Sequence, residues 1–277
     1  MRSIIVGTDF SEGSYVALEY AVDIANEMKC SIKLLWVRKE KKLVSAEHMD
    51  EAARLAEDKL QQLCDKHNPS LTSGTMSWEI KTGKVANVIG EVARKLDAPM
   101  VVIGTNGASG FEKYWMGSTA VRIVQEAPCP TLTIREGFDL HRGMKNIVVP
   151  IRENINSRQK VKPAIEMART FHSTIHILGL WQVEDEAHSV NTYINQVGRL
   201  LVEEGIDYTC RVRHYENYAE TLLKYADEVK GDLVVINTEQ DRVISRLFLG
   251  TNAQQIVHNS QIPVLCIHPE DIGSIAR

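Results

Sequence analysis

A glycine-rich segment between an apolar run and an apolar helical pattern is the part of this sequence best suited to chemistry. Gly104 and Gly107 follow the apolar run at 100–103, and nine further residues separate Gly107 from Gly117 and Ser118. Glycines let backbone amides approach a phosphate closely, and the first N–H groups of a helix favour an anion. The spacing therefore predicts a phosphate-binding loop that ends at a helix N-terminus.

The same arrangement occurs twice in the chain. Three segments have a counterpart further along: 4–9 with 147–152, 97–107 with 230–240, and 117–134 with 250–267. The offset falls from 143 residues in the first pair to 133 in the last, so the second copy is ten residues shorter. Two copies of about 135 residues match the usual size of an α/β domain. The sequence therefore predicts a tandem duplication, with domains at 1–137 and 144–277 and a linker at 137–144.

Short apolar runs alternate with helical patterns through the first copy. Apolar runs of this length are typical of strands that are buried on both faces. The strands are predicted at 3–8, 31–37, 78–81, 100–103 and 131–134. Ser11 or Ser14 is available to cap the first helix. Strands that alternate with helices form a parallel sheet with right-handed crossovers, so an α/β fold is expected.

Two stretches of the first half resemble a universal stress protein domain. Residues 4–25, IIVGTDFSEGSYVALEYAVDIA, resemble its start, and the G-x-x-G-x9-G-S/T loop followed by PCPTLTI resembles its nucleotide-binding end. The resemblance implies two tandem doubly wound domains of the Rossmann-like, HUP type. Each would be a mostly five-stranded parallel sheet with helices on both faces. It also implies that domains pair through their last strands.

The resemblance further implies a site for ATP, or for AMP or ADP, with any Mg²⁺ carried by the phosphates. It assigns these residues to the site: Gly7, Thr8, Asp9, Val37, Ile103, Gly104, Gly107, Gly117, Ser118 and Thr119. Asp9 would lie against the adenine or ribose, and Thr8 and Val37 would line the base pocket. From the residues alone, Asp9 could instead open a turn or cap the first helix.

The glycine-rich segment differs from a P-loop, which has the form Gly-x4-Gly-Lys-Ser/Thr. The residue before Ser118 is Gly117, and Lys113 within the loop is better explained as a solvated side chain. Phosphoryl transfer usually needs a positioned cation and a group that orients the nucleophile. We therefore expect a regulatory nucleotide-binding protein in which ATP turnover is very slow or absent. The alternative is a slow ATPase or a nucleotidyl-transfer enzyme of the HUP class.

The second copy departs from the first at the positions that matter for a ligand. Asp9 corresponds to Arg152, Gly104 to Asn237 and Gly107 to Gln240, whereas the pair Gly250-Thr251 persists. Arginine cannot accept a hydrogen bond from an adenine amino group, and the longer side chains should fill the space that phosphates need. We therefore expect one competent site, in the N-terminal domain. Pro163 should make the first helix of the second copy start late or kink.

Composition and charge narrow the classes of partner. The net charge is −4, whereas a nucleic-acid surface is normally basic. No apolar run approaches the roughly 18 residues of a membrane helix, and no signal peptide is recognised. Five cysteines without a C-x-x-C pair favour a reducing cytoplasm. We expect neither nucleic acid nor membrane as a partner.

The last strand of each copy is an apolar run that follows a proline. These runs are Thr131–Ile134 and Val264–Ile267. A hydrophobic edge strand is an aggregation hazard unless another strand pairs with it. We therefore expect the two copies to form an internal pseudo-dimer through these strands. Further association into a homo-oligomer through another surface stays open.

Overall fold

The computed structural model describes residues 1–38, 46–105, 117–238 and 251–268. The chain divides into two compact units, Met1–Leu140 and His141–Arg277. Each unit contains a parallel sheet whose strands are connected through helices. The predicted fold of two tandem doubly wound α/β domains is confirmed.

Unit 1 alternates strands and helices along the described part of its chain. Its elements are β1 (Ser3–Thr8), α1 (Glu12–Met28), β2 (Ser31–Arg38), α2 (Ala46–His67), β3 (Met76–Thr82), α3 (Val85–Lys95), β4 (Val101–Gly104), α4 (Ser118–Glu126) and β5 (Thr131–Ile134). The strands are parallel and follow the order β3-β2-β1-β4-β5. The direction of winding therefore reverses between β1 and β4.

Unit 2 repeats this plan. Its elements are β6 (Asn146–Ile151), α5 (Val161–Phe171), β7 (Thr174–Trp181), α6 (Glu184–Glu203), β8 (Tyr208–His214), α7 (Tyr218–Glu228), β9 (Leu233–Asn237), α8 (Thr251–Asn259) and β10 (Val264–Ile267). The strand order is β10-β9-β6-β7-β8, again parallel. The reversal point of this sheet lies between β6 and β9.

The central strand of unit 1 shows why the sequence specifies a covered sheet. Ile4, Ile5 and Val6 follow one another in β1, and each is fully buried. Successive strand residues point to opposite faces of a sheet, so this run can be buried only if both faces are covered. The helices that connect the strands supply that cover. None of the helices in the described ranges is long and apolar enough to cross a membrane.

The first helix starts differently in the two units. In unit 1, α1 begins at Glu12, with Ser11 as its N-cap. In unit 2, a 3-10 helix at Ile155–Arg158 comes first, and α5 begins only at Val161. Pro163 lies in the first turn of α5, where its missing N–H removes no intrahelical hydrogen bond. The predicted late start of this helix is confirmed.

Candidate functional site

Four residues predicted for the site in unit 1 lie together at the reversal point of the sheet. β1 and β4 are neighbours, with Ile5 paired to Val101 and Val6 to Val102. Gly7 and Thr8 at the end of β1 therefore lie beside Ile103 and Gly104 at the end of β4. Ligands of open α/β sheets bind in the crevice at this point, outside the carboxyl ends of the strands.

Asp9 is exposed immediately after β1, where the chain turns into α1. Its Oδ1 accepts hydrogen bonds from the Ser11 N–H at 3.1 Å and from the Ser11 hydroxyl at 2.5 Å. The Ser11 oxygen in turn accepts from the Ser14 N–H at 3.3 Å, as an N-cap does. Asp9 is thus bonded to the cap residue of α1 and does not cap the helix itself.

The hydroxyl group of Thr8 is used within the fold. Its Oγ1 accepts from the Phe10 N–H at 3.1 Å and lies 3.0 Å from the Ser14 hydroxyl. The Ser14 hydroxyl donates to the Ser11 carbonyl at 2.8 Å, so the proton between Thr8 and Ser14 comes from Thr8. Thr8 is buried, and its polar contacts hold the turn that carries Asp9.

Gly104 has a packing role that sequence reasoning did not find. A Cβ at this position would come within 2.7 Å of the Gly13 carbonyl in the first turn of α1. The helix start therefore lies directly on the end of β4. A glycine in a first helical turn is the signal that could have indicated this contact. Gly7 is less tightly enclosed, since a Cβ there would meet Ile103 at 3.4 Å and Ile89 at 3.1 Å.

Val37, predicted for the base pocket, and Ile103, predicted for the site, are both buried in the protein. Val37 is near the end of β2, and Ile103 is near the end of β4. β2 pairs with β1 in a register that places Trp36 beside Thr8. Val37 is the next residue of β2 after Trp36. It therefore lies on the opposite side of β1 from β4.

The helix that follows the predicted phosphate loop begins at Ser118, after Gly117 as the cap residue. The Gly117 N–H donates to the Thr105 carbonyl at 3.0 Å, so this amide serves the fold and not a ligand. Gly117 stays a predicted site residue, but its own amide is already used within the fold. The first N–H groups of a helix lack intrahelical acceptors, so Ser118 and Thr119 supply the amides at this end. Gly107 lies outside the described residues.

In unit 2 the position of Gly104 carries a side chain with defined partners. Asn237 donates from Nδ2 to the Asn156 carbonyl at 3.0 Å, and its Oδ1 accepts from Lys160 Nζ at 2.8 Å. Lys160 also donates to the Ser157 carbonyl at 2.7 Å and is only 3% exposed. The end of β9 is therefore occupied by an amide and an ammonium group. Gln240 and Gly250 lie outside the described residues.

In unit 2 the position of the Asp9 carboxylate is occupied by the cationic side chain of Arg152. The Arg152 guanidinium lies 5.7 Å from the ring of Tyr215 and 5.3 Å from that of Tyr218, within the range of cation–π attraction. It also forms an ion pair with Glu153 at 3.6 Å. Burial raises the pKa of Tyr215, and the charge of Arg152 partly opposes this rise.

Tyr215 marks a third difference between the crevices, which sequence comparison missed. The strand pairs β2–β3 and β7–β8 have the same register. Met76 of β3 is paired with Ile32, and Tyr208 of β8 is paired with Ile175, the residue that corresponds to Ile32. Counting along the strands from these pairs, Tyr215 corresponds to Gly83. Gly83 has a φ of +148°, a conformation that side chains disfavour, whereas Tyr215 is a buried aromatic residue.

Each unit is thus a doubly wound α/β domain, and the candidate site lies at the reversal point of the sheet in unit 1. The family model described as the Universal stress protein family matches residues 1–135 and 143–268. The chain belongs to the universal stress protein family.

Individual relatives and solved structures agree with this assignment. A universal stress protein of Methanocaldococcus jannaschii is 27% identical over 145 residues, covering 49% of this chain and 82% of the relative. One of Synechocystis sp. is 20% identical over 293 residues, covering 96% of this chain and 99% of the relative. The crystal structure of a universal stress protein from Archaeoglobus fulgidus superposes with a TM-score of 0.82 at 17% identity, covering 97% of this chain and 98% of that one. That likeness shows a shared two-unit fold.

Proposed function

We propose that this chain is an adenine-nucleotide-binding regulatory protein of the stress response, with one competent site in unit 1. The ligand is ATP, or AMP or ADP, and any Mg²⁺ is carried by its phosphates. The binding residues are those predicted from the sequence, with the amides at Ser118 and Thr119 at the phosphate end. In this proposal the domains extend over 1–137 and 144–277, and the protein acts in the cytoplasm.

The observation that carries the proposal is the contrast between the two crevices at matched positions. Unit 1 has Asp9, Gly83 and Gly104 where unit 2 has Arg152, Tyr215 and Asn237. The three residues of unit 1 are small or accept hydrogen bonds, which suits a nucleotide. Those of unit 2 carry larger side chains. Arg152 lies over the ring of Tyr215, and Asn237 is hydrogen-bonded to Lys160 and Asn156.

The first test is the stoichiometry of binding. Mass spectrometry of the denatured protein identifies any nucleotide that copurifies, and calorimetry on the ligand-free protein then counts the sites. We expect one nucleotide per chain. Two equivalent sites would contradict a single competent unit, and no binding by ligand-free protein would contradict the function.

A pair of matched variants locates the site. Gly117→Val should abolish binding, because the side chain would meet the phosphates. The backbone at 117, with φ −55° and ψ 137°, suits valine, so strain would not explain the loss. Gly250→Val makes the same change in unit 2 and should leave binding intact. Loss of binding in the second variant alone would move the site to unit 2.

Turnover separates the binding protein from the enzymatic alternative. The chain has no P-loop lysine before Ser118, so release of phosphate from ATP should be far slower than the common enzymatic rate of about 1 per second. Turnover near that rate, abolished by Asp9→Ala or Ser118→Ala, would make the protein an ATPase.

A further inference from the structure

Ser11 makes two kinds of hydrogen bond where β1 gives way to α1. Its oxygen accepts from the Ser14 N–H at 3.3 Å, which caps the helix. Its hydroxyl proton goes to Asp9 Oδ1 at 2.5 Å, and its own N–H donates to the same oxygen at 3.1 Å. A single residue therefore joins the helix cap to the carboxylate.

Unit 2 keeps the cap but has no carboxylate at the position of Asp9. Asn154 stands at the position of Ser11 and also acts as a cap, since its Oδ1 accepts from the Asn156 N–H at 2.9 Å. Two residues earlier, Arg152 stands at the position of Asp9 and has no acceptor in its side chain. A cap is thus present in both units, whereas donation to a carboxylate is possible only in the unit with the complete loop motif. Capping alone does not account for the second bond of Ser11.

We propose that Ser11 is a positioning residue for the nucleotide site, which sets the orientation of the Asp9 carboxylate; this inference rests on the proposed function. Two donors from one residue hold Oδ1 against the first turn of α1, and bonds to an ionised acceptor are the stronger kind. A carboxylate has about four acceptor positions, so it can hold Ser11 and accept from a ligand together. A side chain that is ordered before binding loses less conformational entropy when the ligand arrives.

Two substitutions remove the hydroxyl donor while sparing the helix. Ser11→Gly keeps a residue type that is well tolerated at an N-cap. Ser11→Asp keeps a capping oxygen but has no proton to donate, and it adds a charge next to Asp9. We expect each to raise the Kd for ATP by about tenfold, which corresponds to about 1.4 kcal/mol. Ser11→Thr keeps both bonds and should bind ATP within about twofold of the wild type.

The matched control lies in unit 2, where Asn154→Gly makes the same type of change at a cap without a carboxylate. Its ATP affinity should equal that of the wild type. The decisive comparison is a double-mutant cycle with Asp9→Ala, which measures whether the two residues act together. In the Asp9→Ala background, Ser11→Gly should change the Kd by less than about twofold, because no carboxylate remains to be oriented.

Each outcome of these measurements supports or contradicts the positioning role of Ser11. If Ser11→Gly lowers the affinity for ATP equally with and without Asp9, Ser11 does not act through the carboxylate. Wild-type affinity for ATP in both Ser11→Gly and Ser11→Asp would also contradict the proposed role. If the wild type binds ATP and Gly117→Val does not, the proposed function stands regardless of the result at Ser11. If the wild type binds no adenine nucleotide, the proposed function is wrong and this role falls with it.

Discussion

Gly104 at the end of β4 lies against the backbone of Gly13 in the first turn of α1, so closely that a Cβ at 104 would be 2.7 Å from the Gly13 carbonyl oxygen. At the matching place in unit 2, the Asn237 side chain donates to the carbonyl of Asn156, which stands where Gly13 does. The junction between this strand and the first helical segment of the unit, α1 or the 3-10 helix, is therefore built in two ways. Unit 1 uses direct backbone contact, and unit 2 uses a side-chain hydrogen bond.

Gly104→Ala should destabilise the protein, because the added methyl group meets backbone that cannot rotate away. Overpacking of this kind typically costs about 1–3 kcal/mol. Denaturant unfolding of the ligand-free protein measures the change in the free energy of unfolding. Ser118→Ala, at an exposed position, is the control and should unfold like the wild type. Unchanged stability in Gly104→Ala would mean that α1 can move away from β4 at little cost.

Lys160→Met should destabilise unit 2, although the two side chains have similar length. The ammonium group donates to the Ser157 carbonyl and to Asn237 Oδ1, and both bonds are lost. A buried acceptor left without a donor costs about 1–3 kcal/mol. Lys162→Met, an exposed position two residues later, is the matched control and should have little effect on the free energy of unfolding. Equal stability of the two variants would contradict a structural role for the buried ammonium.

His176 should make the protein less stable in mild acid. Its ring nitrogens lie 2.8 Å from the Thr209 hydroxyl and 2.9 Å from Asn146 Oδ1. Burial lowers the pKa of His176, and the charge of Asp232 opposes this only in part. The unfolded chain therefore takes up a proton below about pH 6.5, before the folded protein does, and stability falls as the pH falls through this range.

Unfolding measured between about pH 7 and 5 tests this prediction. His176→Gln should flatten the pH dependence, whereas His188→Gln, at an exposed position, should leave it as in the wild type. Burial also lowers the pKa of His67 in unit 1, so some dependence should persist in His176→Gln. If the free energy of unfolding of His176→Gln depends on pH as it does in the wild type, other groups cause the pH dependence and the prediction is wrong.

The pairing of Thr131–Ile134 with Val264–Ile267 stays a prediction, and cutting the linker tests it. A protease site inserted within residues 137–144 leaves both apolar strands intact. After cleavage we expect the halves to elute together in size-exclusion chromatography, because paired edge strands hold them without the covalent connection. The intact chain is the reference for the elution volume. Halves that separate under native conditions would show that the linker alone keeps them together.

Local sequence pattern was sufficient for much of the fold. The apolar run at 131–134 became β5, Ser11 proved to be the cap of α1, and Pro163 correctly indicated the late start of α5. These features depend on short-range periodicity or on the chemistry of one residue, which a single sequence contains. The third strand was placed at 78–81 but extends over Met76–Thr82, since strand ends are fixed by pairing with neighbours.

The parts of the site that sequence did not predict depend on contacts between distant segments. Gly104 was interpreted as a loop glycine, yet the contact that requires glycine comes from Gly13 on another element. Gly117 is predicted as a site residue of the phosphate loop, yet its amide donates to the Thr105 carbonyl within the fold. The correspondence of Tyr215 with Gly83 is not visible in the sequence, because the two copies differ in length and only strand register aligns these positions.

The Asn237 side chain makes the second crevice hard to open by a single substitution. Replacing it with glycine would remove an acceptor from the buried Lys160 ammonium and a donor from the Asn156 carbonyl. The helix start around it also differs from that of unit 1, with a 3-10 helix before α5. Opening the second crevice by a substitution at 237 alone should therefore give a less stable protein. Selection for stability is then enough to retain this side chain, without any selection on ligand binding.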